Sequence, residues 1–326
     1  MGRASAFITK GDSVIIGRKG NISSPILMRE PFWNVDTAFG LEPNEERLTV
    51  EYLYYFCEWF NFEKLNKAVT IPSLTKADLL KIDMPLPPIN LQREFTDRVV
   101  LIDNLKVLLE NVKQALDDLV KSQFVEMFGD VRSFTRLGDQ CSMITKGTTP
   151  TTVGFQFQSE GINFVKIESI GDNGAIMPNK MAHIGEGCHA SLSRLQLIAG
   201  DLLFSIAGAI GRSAIVTDAI LPANTNQALA IIRLRLDAPL DRTYLRFALS
   251  SDAVRIASEK TKRGIAQVNL SLKDVSEFRL PLPPLALQQQ FADFVARVDK
   301  LGFDCYREIV CCSVLFSSMS ASLLCT

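Results

Sequence analysis

Histidine is almost absent from this 326-residue sequence: His183 and His189 are the only two, which leaves little for nucleophilic or acid–base catalysis. The seven cysteines, at 57, 141, 188, 305, 311, 312 and 325, form no Cys-x-x-Cys pair and no regular spacing. A zinc site would have to gather Cys188 and both histidines in one small loop, so reduced, partly buried thiols are the simpler reading and no metal is expected. No apolar run approaches the ~20 residues of a membrane span, and the N-terminal MGRASAFITKGD has no apolar block of a secretory signal. Charge of one sign is lacking too. With 35 Lys and Arg against 36 Asp and Glu, net charge is −1, which argues against an all-over basic nucleic-acid binder and leaves room only for local basic patches. No Gly-x-x-x-x-Gly-Lys-Ser/Thr phosphate loop occurs, and the Gly208–Gly211 turn has no GxGxxG with a downstream ribose carboxylate. These absences predict a cytoplasmic chain that makes no use of a membrane, a metal or a nucleotide cofactor.

What is present is a repeat. Residues 85–105, PLPPINLQREFTDRVVLIDNL, and residues 281–301, PLPPLALQQQFADFVARVDKL, match at a constant offset of 196, the distance from Pro85 to Pro281. Prolines 85, 87 and 88 make a stiff extended lead-in, after which apolar residues step by three or four. In the first copy these are Leu91, Phe95, Val99, Ile102, Leu105, Leu109, Val112 and Leu116; in the second they are Leu287, Phe291, Val295, Val298, Leu301, Cys305, Ile309 and Cys312. Each run predicts a helix of roughly 37 residues, about 55 Å long. A three-four stripe ordinarily marks a core-facing helix, but helices this long with a narrow seam pair as coiled coils, and two copies supply the partner. The serine-rich end of the second copy makes the poorer seam.

The segments before each lead-in also match. Gly11-Asp12 precedes the short strand Ser13–Ile16 and the turn Gly17-Arg18-Lys19-Gly20, as Gly200-Asp201 precedes LLFSI and the turn Gly208–Arg212. Tyr52 and Leu53 open a helix as Tyr244 and Leu245 do, and Leu74-Thr75 parallels Leu270-Ser271. The second copy has about sixty residues ahead of its Gly-Asp pair and the first has ten. The expected organisation is a partial first domain over 1–84, a first helix with its lead-in over 85–129, a complete second domain over 130–280, and a second helix with its lead-in over 281–326.

Two globular domains, each followed by a Pro-Leu-Pro-Pro lead-in and a long helix, resemble the DNA-specificity (S) subunits of type I restriction-modification systems. The motifs carrying the resemblance are GTTP at 147–150, FVKIESI at 164–170, GDLLFSIAGAIGR at 200–212, the helix start Leu287-Gln288-Gln289-Gln290-Phe291, GDSVIIGRKG at 11–20, and Lys262-Arg263-Gly264 followed by Gln267 and Asn269. The resemblance implies an α+β fold: two tandem α/β target-recognition domains, the first incomplete, with the two helices paired as an antiparallel coiled coil. It implies a non-catalytic subunit that reads a split target in double-stranded DNA. The helices would set the spacing and dock methyltransferase (M) subunits, and through them a restriction/translocase (R) subunit. Consistent with chemistry residing in partners, the double prolines read Leu-Pro-Pro-Ile and Leu-Pro-Pro-Leu, not the Asn-Pro-Pro-aromatic or Asp-Pro-Pro-aromatic tetrapeptide of an adenine methyltransferase.

DNA reading needs cations for phosphates and amides or forked donors for base edges. In the second domain the candidates are Lys146, Thr148 and Thr149 in the first turn, Lys166 on its strand, Arg212 in the glycine turn, and Lys260, Lys262, Arg263, Gln267 and Asn269 in the late loop. Lys262 and Arg263 suit phosphates; Gln267 or Asn269 suits a base edge or a structural turn. In the first domain Arg18, Lys19 and Asn21 hold the comparable turn and read equally well as a solvated hairpin, while Lys64, Asn66 and Lys67 precede a shorter loop with no Lys-Arg-Gly equivalent. Two other readings compete. A truncated or recombined specificity protein would act as a half-site binder or assembly scaffold. A small-molecule enzyme with a helical arm would need a pocket of convergent titratable groups, which the sequence does not offer.

Overall fold

A computed structural model describes residues 6–68, 70–251, 254 and 269–324. The chain divides into two compact units, one of Met1–Asn111 with Asp304–Thr326 and the other of Val112–Phe303.

The first unit is built on three antiparallel strands, β1 (Ser13–Gly17), β2 (Ile26–Met28) and β3 (Ala38–Leu41), in the order β2-β1-β3. Alternation places Val14 and Ile16 on one face. There they are buried against Val50, Leu53, Phe56 and Cys57 of helix α1 (Val50–Trp59). Burial pushes the Cys57 thiol up to about 12, so it sits in this core as a small apolar group. A short helix α2 (Lys76–Leu79), capped by Thr75 and Asp78, leads to the prolines and to α3 (Ile89–Phe128).

The second unit carries a four-stranded sheet of β5 (Cys141–Lys146), β9 (Leu202–Ser205), β10 (Ser213–Ile215) and β12 (Leu229–Leu234), in the order β10-β9-β12-β5. One face, with Leu202, Phe204, Ala230 and Ile232, packs on Tyr244, Leu245, Ala248 and Leu249 of α6 (Arg242–Leu249). The opposite face, with Leu203, Ala214, Leu229 and Ile231, packs on Val165, Ile170, Val216 and Ala223. Two of those residues belong to a second sheet of β6 (Phe157–Gln158), β7 (Ile162–Val165), β8 (Ala182–Ile184) and β11 (Ala223–Thr225), ordered β11-β7-β8-β6. A small ladder of β4 (Phe134–Arg136) with β13 (Arg279–Pro281) brackets the unit; the short helices α4 (Leu137–Gln140) and α5 (Glu186–Ser191) follow β4 and β8, and α7 (Leu272–Ser276) leads into β13. The β2-β1-β3 arrangement repeats as β10-β9-β12. Among the described residues, only the second unit adds a strand equivalent to β5 and a second sheet.

The two lead-ins are held by the same device. Gln92, fully buried on α3, accepts from Thr49 N at 2.9 Å and donates to Arg47 O at 2.8 Å and Pro87 O at 2.7 Å. Gln288, fully buried on α8 (Leu285–Leu324), accepts from Asp241 N at 2.8 Å and donates to Pro239 O at 3.0 Å and Pro283 O at 2.9 Å. Thr49 and Asp241 are the N-caps of α1 and α6, so each glutamine ties a proline carbonyl to the start of the domain's main helix. Tyr52 and Tyr244 each donate a phenol hydroxyl to the matching lead-in, at Pro85 O (3.2 Å) and Pro281 O (2.8 Å). Burial raises both phenols' pKa and keeps these donors protonated.

Both long helices run 40 residues, somewhat longer than expected, because each begins immediately after its last proline, Pro88 or Pro284. Within the second unit, the end of α3 and the start of α8 run antiparallel. Phe124 and Phe128 meet Phe291, with ring centroids at 5.4 and 5.5 Å, while the earlier Leu116 meets the later Gly302. The expected seam of α8 is buried at Phe291, Val295 and Val298 but departs at Leu301, which is 57% exposed; the half-buried Gly302 faces Leu116 instead, whose Cδ1 lies 3.4 Å from where a Cβ would stand. The strand expected to carry Lys166 also ends early, at Val165. Lys166 instead enters a 3-10 turn whose Ser169 hydroxyl accepts from Lys166 N at 3.1 Å.

Replacing Gln288 with leucine removes a buried three-bond clamp and leaves Asp241 N and two proline-side carbonyls without their partner. The expected loss is about 3 kcal/mol, read as a fall in the urea unfolding midpoint; an unchanged midpoint contradicts the assigned role.

Candidate nucleic-acid interface

At one end of the four-stranded sheet, β5 and β9 finish while β10 and β12 begin, so the loops attached to all four emerge together. The Gly-Thr-Thr-Pro segment leaves β5 after Lys146 and is pinned at once. Gly147 N donates to Leu229 O at 3.3 Å and Thr148 N to Thr225 O at 3.0 Å. Gly147 is required by this approach, since a Cβ there would lie 2.0 Å from Thr225 O. The Thr149 hydroxyl donates to Gln227 Oε1. On the neighbouring loop, Ile206 N donates to Ala228 O at 2.9 Å, and Leu270 N donates to Ile206 O at 2.8 Å, which brings Asn269 to the same end.

The second sheet adds Lys166. Thr225 pairs with Val165 in the parallel β11–β7 register, and its hydroxyl donates to Val165 O at 2.8 Å. Lys166 is therefore the next residue beyond that junction. Its Nζ lies 4.4 Å from the Phe157 ring centroid and 4.0 Å from Glu168 Oε1. The structure thus gathers Lys146, Thr148, Thr149, Lys166 and Asn269 around one loop cluster, with Lys146 exposed and without an ion pair among the described residues.

Arg212 lies on the same side but is engaged. Its guanidinium pairs with Asp172 at 2.8 Å and donates to Ile170 O at 3.3 Å. Arg246 braces the same 171–174 turn by donating to Asn173 O at 2.6 Å. Burial lowers the Arg246 pKa while Asp299 and Asp117 act in the opposite direction; burial in turn raises that of Asp299. Lys260, Lys262, Arg263 and Gln267 lie outside the described residues.

In the first unit, Leu74 N donates to Arg18 O at 2.9 Å, as Leu270 N does to Ile206 O, so the Arg18–Asn21 turn stands in the corresponding place. Arg18 donates to Asp36 O at 3.3 Å, Lys19 and Asn21 are exposed, and Asn21 Oδ1 accepts from Ser23 N at 3.3 Å. Asn66 serves the fold, accepting from Ala68 N and Ser73 N, and Lys67 pairs with Asp78 at 2.9 Å.

Gln227 is not evident as a site residue from the sequence. Its only signal is the Asn-Thr-Asn-Gln run at 224–227 immediately before an apolar strand, three amides where a loop enters a sheet. Asn224 turns inward and meets His189 Nδ1 at 2.5 Å; Asn226 Oδ1 accepts from Ala228 N; Gln227 is exposed. Cys188 is buried with Phe164, Ile184 and Leu192, and no group of three potential metal ligands occurs among the described residues.

The comparisons agree with this architecture. A family model described as "Type I restriction modification DNA specificity domain" matches residues 1–117 and 133–308. The chain is 22% identical to the Type I restriction enzyme EcoBI specificity subunit of Escherichia coli, an alignment covering 89% of this chain and 66% of that protein. A second curated relative, from Methanocaldococcus jannaschii, is 23% identical over 80% of this chain and 64% of its own length. The chain therefore spans slightly less than two thirds of either relative. Among solved structures, one titled for complex assembly and conformational transition of the type I R-M system aligns with a TM-score of 0.58 at 19% identity, covering 97% of this chain and 81% of that one. The type-I restriction-modification S subunit from M. genitalium aligns with a TM-score of 0.53 at 15% identity, covering 99% and 85%. No described helix is long and apolar enough to cross a membrane.

Gly147→Ala forces a methyl group into Thr225 O and should cost about 1–3 kcal/mol. Urea unfolding checks this, and a midpoint equal to the parent's contradicts the close approach of the two loops.

Proposed function

The chain belongs to the type I restriction modification DNA specificity family, and on that premise we propose that it reads double-stranded DNA through the loop cluster at the end of the second unit's sheet. The observation that carries the reading is the convergence of Lys146, Thr148, Thr149, Lys166 and Asn269 on loops pinned by backbone hydrogen bonds. Such a platform holds cations for phosphates and polar side chains for base edges without ordering them at the moment of binding. The Arg18–Asn21 turn is the corresponding reader for a second half-site, and the domain limits at 84, 129 and 280 separate readers from helices. The two 40-residue helices act as an antiparallel coiled-coil spacer. At about 60 Å each, they are long enough to separate two readers by a helical turn of DNA, ~34 Å, or more. They also dock methyltransferase subunits, which supply the chemistry and recruit a restriction/translocase subunit, and the assembly works in the cytoplasm where its DNA lies.

One observation favours a narrower role as a half-site binder or scaffold: the described part of the first unit has a three-stranded sheet, against four strands and a second sheet in the other. Footprinting separates the two, since a split target gives two protected stretches and a half-site gives one.

Phosphate contact makes affinity fall with salt, with a slope of about −0.9 per phosphate neutralised. Binding of the full chain to duplex DNA, titrated at several salt concentrations, should show this dependence. Lys146→Ala should flatten the slope by about one. Salt-independent binding, or a slope untouched by Lys146→Ala, contradicts the assignment.

A further inference from the structure

Resting on the DNA-reading function proposed above, the geometry points to Gln227 as a base-reading residue whose hydrogen-bonding sense is set by Thr149, and to guanine as the base it selects. Gln227 is exposed at the junction of β11 and β12, between Lys146 at the end of β5 and Lys166 just beyond the end of β7. The backbone on either side is fixed: Asn226 Oδ1 accepts from Ala228 N at 3.1 Å, Leu229 N donates to Asn226 O at 3.3 Å, and Gly147 packs directly on Thr225 O. A side chain on so constrained a turn reaches outward from a defined position, as base recognition requires.

An unconstrained glutamine amide offers a donor and an acceptor together and suits adenine, which presents N6–H₂ and N7 side by side. Here the Thr149 hydroxyl donates to Oε1 and engages the carbonyl end. That bond turns the carbonyl end towards the Gly-Thr-Thr-Pro turn, and the two Nε2 hydrogens of this exposed residue have no partner among the described residues. A pair of donors matches the two major-groove acceptors of guanine, N7 and O6. Thr149 acts as a positioning residue: it touches no base in this account but decides which end of the amide is presented.

The test is selection from a randomised duplex library by the full chain, with the bound pool sequenced for the parent and for Gln227→Glu, Gln227→Ala and Thr149→Val. The parent should select guanine at one position of its motif by roughly tenfold or more over the other bases. Gln227→Glu, which can only accept, should move that position to cytosine, whose N4–H₂ is a donor. Gln227→Ala should erase the preference there and leave the remaining motif intact. Thr149→Val should admit adenine at the same position, a change of base identity that a purely structural role would not produce. Melting temperatures equal to the parent's identify changes in reading that are not changes in folding. A motif left unchanged by both Gln227 substitutions, or a responding position that is not guanine in the parent, overturns the assignment. A parent chain that selects no sequence at all overturns the recognition function itself and this inference with it.

Discussion

A single buried amide solves one structural problem in each half of the chain. The Pro-Leu-Pro-Pro segment must turn from the domain into a helix while its prolines offer carbonyls and no N–H groups. Buried carbonyls without partners cost free energy, and so does an N-cap residue whose own N–H points into the protein. Gln92 and Gln288 satisfy both demands at once, because a glutamine amide carries an acceptor and two donors in one rigid plane. Hydrophobic packing alone would leave the angle between domain and helix soft. The directional bonds of the amide, with Tyr52 or Tyr244 reaching the same lead-in, fix it.

That constraint gives the loop cluster its value. The sheet of the second unit rests on α6, whose N-cap is clamped by Gln288, and whose Tyr244 ring stacks among Phe124 and Phe128 of α3. The far end of the same sheet bears Lys146, the Gly-Thr-Thr-Pro turn and Gln227. Position at the loops is thus inherited, through strands and one helix, from the point where the domain joins its helices. Arg246 contributes from the other direction, bracing the turn at Asn173 from α6 while Asp299 and Asp117 lie within electrostatic reach.

Much of this was legible in the sequence, and the limits are physical. The lead-ins and helices stood out because proline restricts the backbone and the three-four stripe survives in both copies. The helices at Tyr52-Leu53 and Tyr244-Leu245 stood out as matched pairs, whereas the caps that start them, Thr49 and Asp241, emerge only with the fold. Gln92 and Gln288 were visible only as matched letters; that they are buried follows from a fold that brings Arg47, Thr49 and Pro87, or Pro239, Asp241 and Pro283, to one point. Lys166 was placed on a strand that stops one residue short, because Ser169 draws Lys166 N into a turn. Arg212 read as a candidate in the glycine turn; its ion pair with Asp172 joins loops distant in sequence and has no local signal. Gln227 escaped because an amide in a polar loop is unremarkable until Thr149 is found bonded to it.

The central claim is that DNA meets the second unit at the loop end of its four-stranded sheet, away from the β4–β13 ladder beside the proline lead-in. Hydrogen exchange of the full chain, with and without duplex DNA, tests it most directly. The account predicts slowed exchange in peptides covering 146–150, 206–212 and 225–228, with the peptides of β4 and β13 unchanged. Protection confined to β4 and β13, with the three loops exchanging as in the free chain, would contradict it.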